Sequence, residues 1–131
     1  MVEQSRLIRS FQAASRGVKI AFREEQNFRI QVLVGSISSI AAFFLNFSSI
    51  EWAVLLLTIG TVLTAEIANS VIERIIDSIK PRVSPLVQAI KDLMGAGVLL
   101  LACASVVIGL LLFVPRCIHI LYSLFSGDLV Y

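Results

Sequence analysis

The stretch WAVLLLTIGTVLTAEIANSVIERIID, Trp52–Asp77, decides how this chain folds. Its first half, Trp52–Ala65, carries no charge, but it is too short to cross a bilayer core about 30 Å thick at about 1.5 Å per residue. The segment crosses a membrane only if one helix continues through Glu66 to about Ile76. The stretch therefore predicts a membrane-spanning helix that contains carboxylates.

Two further runs without a charged residue, Ile30–Ile50 and Leu93–Pro115, are each long enough to cross a bilayer. Apolar residues make up 57% of the chain, which is above the average of soluble proteins. Charged residues make up 15%, which is well below that average. We therefore predict an all-α integral membrane protein with a single domain over residues 1–131. The predicted parts are a surface helix over 1–28, helices with membrane crossings over 29–50, 52–80 and 86–115, and a tail over 116–131.

The N-terminal segment has the pattern of an amphipathic helix. Apolar residues recur at spacings of three and four, and basic residues lie elsewhere around the helix. This pattern predicts a helix lying on the membrane surface, and anchoring on anionic lipid could be its whole role. The apolar positions are Leu7, Phe11, Ala14, Val18 and Phe22.

The basic residues also predict an orientation. The N-terminal segment and the loop Arg74–Lys91 are basic and should be cytoplasmic, whereas the connection Asn46–Glu51 has no basic residue and should face outward. Pro81 and Pro85 each remove a backbone donor, so the second crossing should stop near residue 80 and a third helix should restart after Pro85.

A polar stripe occupies one face of the predicted central helix. The spacings i, i+3, i+4, i+7 and i+11 place its members above one another. A solvated helix end explains Asp77 and part of Glu73, but not Glu66, because an unpaired acid at the centre of a membrane helix costs about 2.5–3.5 kcal/mol. Glu66 is therefore a functional candidate. The stripe consists of Glu66, Asn69, Ser70, Glu73 and Asp77.

Charged residues of the other two crossings should lie at the same cytoplasmic boundary. Lys91 taken alone would be explained by a side chain that extends to the membrane interface. Taken together with the polar stripe, these boundary residues instead predict one polar cluster. Carboxylate and amide oxygens suit Mg²⁺ held with substrate phosphates, and lysine suits phosphate. Gly95 and Gly97 are expected to permit close helix packing. The predicted cluster contains Glu25, Glu66, Asn69, Glu73, Lys91 and Asp92.

Three segments in this order and spacing resemble the prokaryotic diacylglycerol kinase family, which includes the undecaprenol kinases. The resemblance covers about Arg6 to Leu101, although the family often has a histidine where Ser84 precedes Pro85. It implies a homotrimer of three-crossing subunits in the bacterial cytoplasmic membrane, with the N-terminus and active sites on the cytoplasmic side. The segments are EEQNFRIQ at 24–31, AEIANSVIE at 65–73 followed by Asp77, and AIKDLMGAGVLL at 89–100.

The resemblance also implies roles for individual residues. ATP with Mg²⁺ would phosphorylate a membrane lipid, with Glu66 as general base and Asn69 positioning the reacting groups. Glu25 and Glu73 would hold the metal and so the ATP phosphates. Lys91, Asp92, Asp77 and Arg6 would serve the nucleotide site, and Arg6, Glu66 and Gly95 would contact the lipid.

The sequence leaves several alternatives open. The lipid is either diacylglycerol, giving phosphatidic acid, or undecaprenol, giving undecaprenyl phosphate, and PLVQAIKDLMGAGVLL (85–100) looks somewhat closer to the undecaprenol branch. A small cation- or proton-coupled transporter using Glu66 is the alternative function, and a non-catalytic membrane adaptor is another. We expect no nucleic-acid partner.

Overall fold

Four helices make up the computed structural model, which describes residues 2–79 and 84–126. They are α1 (Val2–Glu24), α2 (Gln26–Phe44), α3 (Ser49–Ile79) and α4 (Pro85–Ser126). Three of them are long and apolar enough to cross a membrane: Gln26–Phe44, Ser49–Ser78 and Pro85–Ser123. The prediction of an all-helical membrane protein with three crossings is therefore confirmed.

The turn between α2 and α3 follows from five residues. Asn46 has a φ of 52°, a left-handed conformation that Asn tolerates better than most residues. Ser48 and Glu51 form a capping box, in which Ser48 N donates to Glu51 Oε2 at 2.7 Å and Glu51 N donates to Ser48 Oγ at 3.4 Å. Phe47 and Trp52, on either side of the cap, lie with ring centroids 6.5 Å apart, so α3 enters at a defined angle.

The buried core lies near this turn. Ala42, Phe47 and Leu55 are its buried members, and the Phe47 ring centroid is 4.9 Å from that of Phe113 on α4. The neighbouring Arg116 donates from Nη2 and Nε to both carboxylate oxygens of Glu51, at 2.6 and 3.2 Å. Aromatic packing and a two-point ion pair thus join α4 to the start of α3.

Helix α4 begins as its sequence suggests but ends elsewhere. Ser84 Oγ accepts from Val87 N at 3.3 Å, and Pro85 occupies the first helical position, where a missing N–H costs nothing. The predicted helix end at residue 115 is wrong, because α4 continues through Pro115 to Ser126. A proline inside an apolar helix is tolerated where neighbouring helices hold the segment, as Glu51 here holds Arg116.

The other predicted bounds differ in smaller ways. α1 ends at Glu24 and α2 begins at Gln26, so the chain bends at Glu25, which has extended backbone angles. Arg29 secures the bend by donating from Nη1 to the carbonyls of Phe22 and Arg23 at 3.2 and 3.0 Å. The predicted stop near residue 80, with its proline at 81, lies outside the described residues.

The apolar face of α1 is exposed on the single chain. Leu7 is 68% exposed and Phe11 76%, and Val18 and Phe22 are exposed as well. Such a face with basic residues beside it is typical of a helix that lies in a membrane interface. At the opposite end of the core from the α2–α3 turn, α2, α3 and α4 carry the polar residues of the candidate site.

Candidate active site

Glu66 is a buried carboxylate in the middle of α3. Only 3% of its surface is exposed, and Ser70, one turn further on, is 7% exposed. Ser70 Oγ donates to the Glu66 carbonyl at 3.1 Å, which satisfies the hydroxyl within the helix. A buried carboxylate needs a hydrogen-bond donor, and the donor comes from another helix.

Gln31 on α2 supplies that donor. Its Nε2 donates to Glu66 Oε2 at 3.1 Å, whereas its Oε1 is buried and has no hydrogen-bond partner. Because a carboxylate only accepts, this contact fixes which side of the amide faces Glu66. The other oxygen of Glu66 makes no hydrogen bond within the described residues, so it is free to accept from a bound ligand.

Sequence reasoning assigned no role to Gln31, although a signal was present. Phe28, Gln31, Gly35 and Ala42 follow at helical spacing, and three of them are buried while Gln31 is half-buried. This face packs tightly on α3, because a Cβ on Gly35 would lie 3.0 Å from Ile59 Cγ2. A glutamine on a face this close to a helix with a buried acid is a candidate partner for that acid.

Asn69 and Glu73 form a second polar group one turn along α3. Asn69 Nδ2 donates to Glu73 Oε1 at 3.0 Å. Asn69 Oδ1 is buried without a partner. A buried amide oxygen beside a carboxylate is an arrangement suited to a donor or a hard cation.

Glu25 lies against α3 through Arg74. Arg74 Nη2 is 2.8 Å from Glu25 Oε1 and 2.8 Å from Glu24 Oε2, so α3 is tied to the bend between α1 and α2. Neither Arg74 nor Glu24 was predicted from the sequence to be a site residue. Both belong to the boundary charges, but sequence spacing does not show which residue of α3 faces the bend.

The α3 and α4 ends meet through a third pair. Lys91 Nζ lies 2.5 Å from Asp77 Oδ1, and Gln88 Nε2 donates to Asp92 Oδ1 at 2.8 Å. Asp77 is 63% exposed and Lys91 29%, so this pair is open to solvent. The two residues predicted to serve one nucleotide site are therefore neighbours in the fold.

The predicted six-residue cluster is not one bonded network. In the part of the chain that the structure describes, Asn69 and Glu73 bond to each other, and the other four members each bond to a residue outside the set. Arg6 is exposed and lies about 27 Å from Glu24 along α1 at 1.5 Å per residue. Arg6 therefore lies at the far end of α1 from the bend at Glu25.

Gly95 and Gly97 are exposed on α4. A Cβ at either position would meet nothing within 4 Å. The expectation that they permit close packing is therefore wrong for contacts within one chain. Both remain available to lipid or to another chain.

The oxygen atoms of this site suit a metal ion that is held mainly by the phosphates of a bound substrate. Among residues 2–79 and 84–126, no group of three or more His, Cys, Asp or Glu residues could by itself hold a metal ion. Mg²⁺ is usually bound by one or two carboxylates together with substrate phosphates. Glu73, with the unpartnered Asn69 oxygen beside it, provides oxygen ligands of this kind.

Comparison with known proteins gives consistent matches. The family model described as "Prokaryotic diacylglycerol kinase" matches residues 12–113. The chain is 35% identical over 114 residues to an undecaprenol kinase of Bacillus subtilis (strain 168), which covers 87% of this chain and 93% of that protein. It is 36% identical over 110 residues to a diacylglycerol kinase of Synechocystis sp., covering 83% of this chain and 63% of that one. A diacylglycerol kinase of Haemophilus influenzae is 30% identical over 97 residues, 74% of this chain and 82% of that one.

Proposed function

This chain belongs to the prokaryotic diacylglycerol kinase family and is a lipid kinase, and from this premise we propose that it transfers the γ-phosphoryl group of ATP, with Mg²⁺, to the hydroxyl of a membrane lipid. The observation that carries the proposal is Glu66, a carboxylate buried within a membrane-spanning helix and bonded, among residues 2–79 and 84–126, through one oxygen. Membership of a kinase family sets aside the transporter and adaptor alternatives.

Glu66 acts as the general base in this proposal. Gln31 holds Glu66 Oε2, and Oε1 accepts the proton of the lipid hydroxyl. The lipid oxygen then forms a bond to the γ-phosphorus as the bond to the leaving ADP oxygen breaks. A general base in hydrogen-bond reach contributes typically about 10²–10⁴-fold. Its position at membrane depth allows the acceptor hydroxyl to stay in the bilayer.

Glu25 and Glu73 would hold Mg²⁺ together with the ATP phosphates, and Asn69 would orient the reacting groups. The bound metal would neutralise charge on the phosphates, which is the main requirement of phosphoryl transfer. The bond between Asn69 Nδ2 and Glu73 Oε1 supports this assignment, because it orients the carboxylate before any ligand binds.

Lys91, Asp92 and Asp77 would form the rest of the nucleotide site. The Lys91–Asp77 pair supports a shared location at the α3–α4 end. Arg6 would contact nucleotide and lipid, and Gly95 would contact the lipid. Since Arg6 lies about 27 Å from Glu24 along α1, we propose that the complete site forms between the copies of a homotrimer.

The chain is proposed to lie in the bacterial cytoplasmic membrane with its N-terminus and active site facing the cytoplasm. Two features support this orientation. The segment before α2 carries basic residues from Arg6 to Arg23, and Arg74 and Lys91 lie near the end of α3 and the start of α4; lysine and arginine are enriched in cytoplasmic segments. ATP would reach the site from that side.

Undecaprenol is the proposed acceptor. The undecaprenol kinase relative aligns over 93% of its own length, whereas the two diacylglycerol kinases align over 63% and 82% of theirs. The test is transfer of ³²P from γ-labelled ATP in detergent micelles containing either undecaprenol or diacylglycerol, with and without EDTA. We expect metal-dependent labelling of undecaprenol, at least tenfold above diacylglycerol. Preferred labelling of diacylglycerol would reverse the substrate assignment, and labelling of neither would contradict the function.

A further inference from the structure

Arg74 joins two carboxylates through a single nitrogen. Its Nη2 lies 2.8 Å from both Glu24 Oε2 and Glu25 Oε1. A guanidinium has five N–H donors in a rigid fork. Within the described chain, Arg74 Nε and Nη1 make no hydrogen bond. The side chain is 46% exposed, so Arg74 retains accessible donors for a ligand.

The position of Arg74 points to an anionic ligand. It touches Glu25, one of the two carboxylates proposed to hold the metal, and it follows the other, Glu73, in the sequence of α3. Arginine binds phosphate oxygens through two parallel N–H donors, a geometry that lysine lacks. Glu24 also contacts Arg74. This contact would keep the guanidinium in place when Glu25 binds Mg²⁺ instead of Arg74.

We propose that Arg74 is a phosphate-binding residue of the nucleotide site and that Glu24 is its positioning residue. In the nucleotide-free chain Glu24 and Glu25 share the guanidinium. When the nucleotide binds, Glu25 releases Arg74, Glu24 keeps it, and the free donors of Arg74 bind phosphate oxygens. The proposal rests on the proposed function, because it requires a nucleotide beside Glu25 and Glu73.

The test is equilibrium binding of the magnesium complex of AMP-PCP, a non-hydrolysable ATP analogue, to the purified full chain in detergent. We expect Arg74→Gln to raise the Kd at least tenfold. Arg74→Lys should raise it less, because charge remains while the fork is lost. Glu24→Gln should raise it several-fold although Glu24 touches no ligand. Arg23→Gln, which removes the same charge from the neighbouring end of α1, is the matched control and should leave the Kd unchanged.

Melting temperatures of the same variants separate binding from a structural role. If the wild-type chain binds the analogue but Arg74→Gln binds it equally well, the role of Arg74 is overturned while the kinase function stands. A lowered melting temperature with an unchanged Kd would mean that Arg74 only ties α3 to the bend. If Arg74→Gln does not fold, an unchanged Kd of Glu24→Gln overturns the proposal. A wild-type chain that does not bind the analogue would overturn both proposals.

Discussion

At the scale of single residues, the chemistry depends on how a carboxylate is kept in a membrane helix. Glu66 is almost fully buried, and within the described residues its carboxylate receives one hydrogen bond, from Gln31. That bond orients the carboxylate, and its second oxygen is the one proposed to take the proton of the lipid hydroxyl. Gln31 touches Glu66 and is expected to act through it, as a positioning residue.

Gln31→Leu should therefore lower kcat while leaving the KM for ATP unchanged. A hydrogen bond to a charged group contributes about 1.5–3 kcal/mol, and about 1.4 kcal/mol corresponds to tenfold in rate, so we expect a loss of about 10–100-fold. Steady-state lipid phosphorylation at varied ATP measures both constants. Ser39→Ala, on the same helix with its hydroxyl bonded to the carbonyl of Gly35, is the matched control.

A rise in the KM for ATP with kcat unchanged would contradict this role of Gln31. Such a result would assign the residue to nucleotide binding instead. Unchanged values of both constants would show that Glu66 does not need this orienting bond.

At the scale of helices, the ends of the bundle are held by different chemistry. Near the α2–α3 turn, Phe47 and Phe113 pack together while Arg116 bonds both oxygens of Glu51. At the other end, polar pairs join the helices: Glu25 with Arg74, and Lys91 with Asp77. Glu51 lies about 22 Å from Glu66 along α3 at 1.5 Å per residue, so the first pair is remote from the chemistry.

Arg116→Gln should lower the melting temperature by several degrees and leave lipid phosphorylation unchanged. The substitution leaves Glu51 without its bidentate partner, and the part of α4 beyond Pro115 loses this ion pair with α3. Glu51→Gln should have a similar effect, and the double variant should melt no lower than the worse single one. Melting is measured by intrinsic fluorescence in detergent.

Additive effects of Glu51→Gln and Arg116→Gln on the melting temperature would show that the two side chains do not act as a pair. Ser36→Ala supplies a reference, because the Ser36 hydroxyl donates to the Val32 carbonyl on α2 and shares no partner with the ion pair. Its effect should add to that of Arg116→Gln.

At the scale of the whole molecule, the pattern of charges predicted the architecture. Stretches without charges predicted the three crossings, including the helix that continues through Glu66, and periodic charges predicted the surface helix. The three-crossing fold is confirmed. The end of α4 was predicted wrongly because the helix was taken to end with its uncharged run at Pro115, and nothing in the local sequence reveals that Glu51 holds the segment after this proline.

The candidate site could be predicted in its members but not in its contacts. Helical spacing places Glu66, Asn69 and Glu73 on one face of α3, but it leaves the rotation of α2 against α3 undetermined. The partners Gln31 and Arg74 depend on that rotation. The close approach of Gly35 on α2 to Ile59 on α3 sets this rotation. The approach depends on both helices, so the sequence of one helix does not reveal it.

A site formed between copies predicts complementation. Arg6→Gln and Glu66→Gln should each be inactive alone, and coexpression of the two should restore part of the lipid phosphorylation, because mixed trimers would contain one intact site. Recovery is measured on mixed oligomers isolated through two different affinity tags. Glu66→Gln mixed with Glu66→Gln carrying the second tag is the control and should stay inactive. No recovery would indicate that Arg6 and Glu66 act within one chain.

The most direct test of the central claim is a single-turnover measurement on Glu66→Gln. The variant keeps the size of the side chain but cannot take a proton from the lipid hydroxyl. We expect ³²P transfer from ATP to undecaprenol to be at least about 100-fold slower than in the wild-type chain, with an unchanged Kd for magnesium AMP-PCP and an unchanged melting temperature. Thr64→Val, an exposed position two residues earlier on α3, should transfer at the wild-type rate. Transfer by Glu66→Gln at the wild-type rate would contradict the assignment of Glu66 as the base.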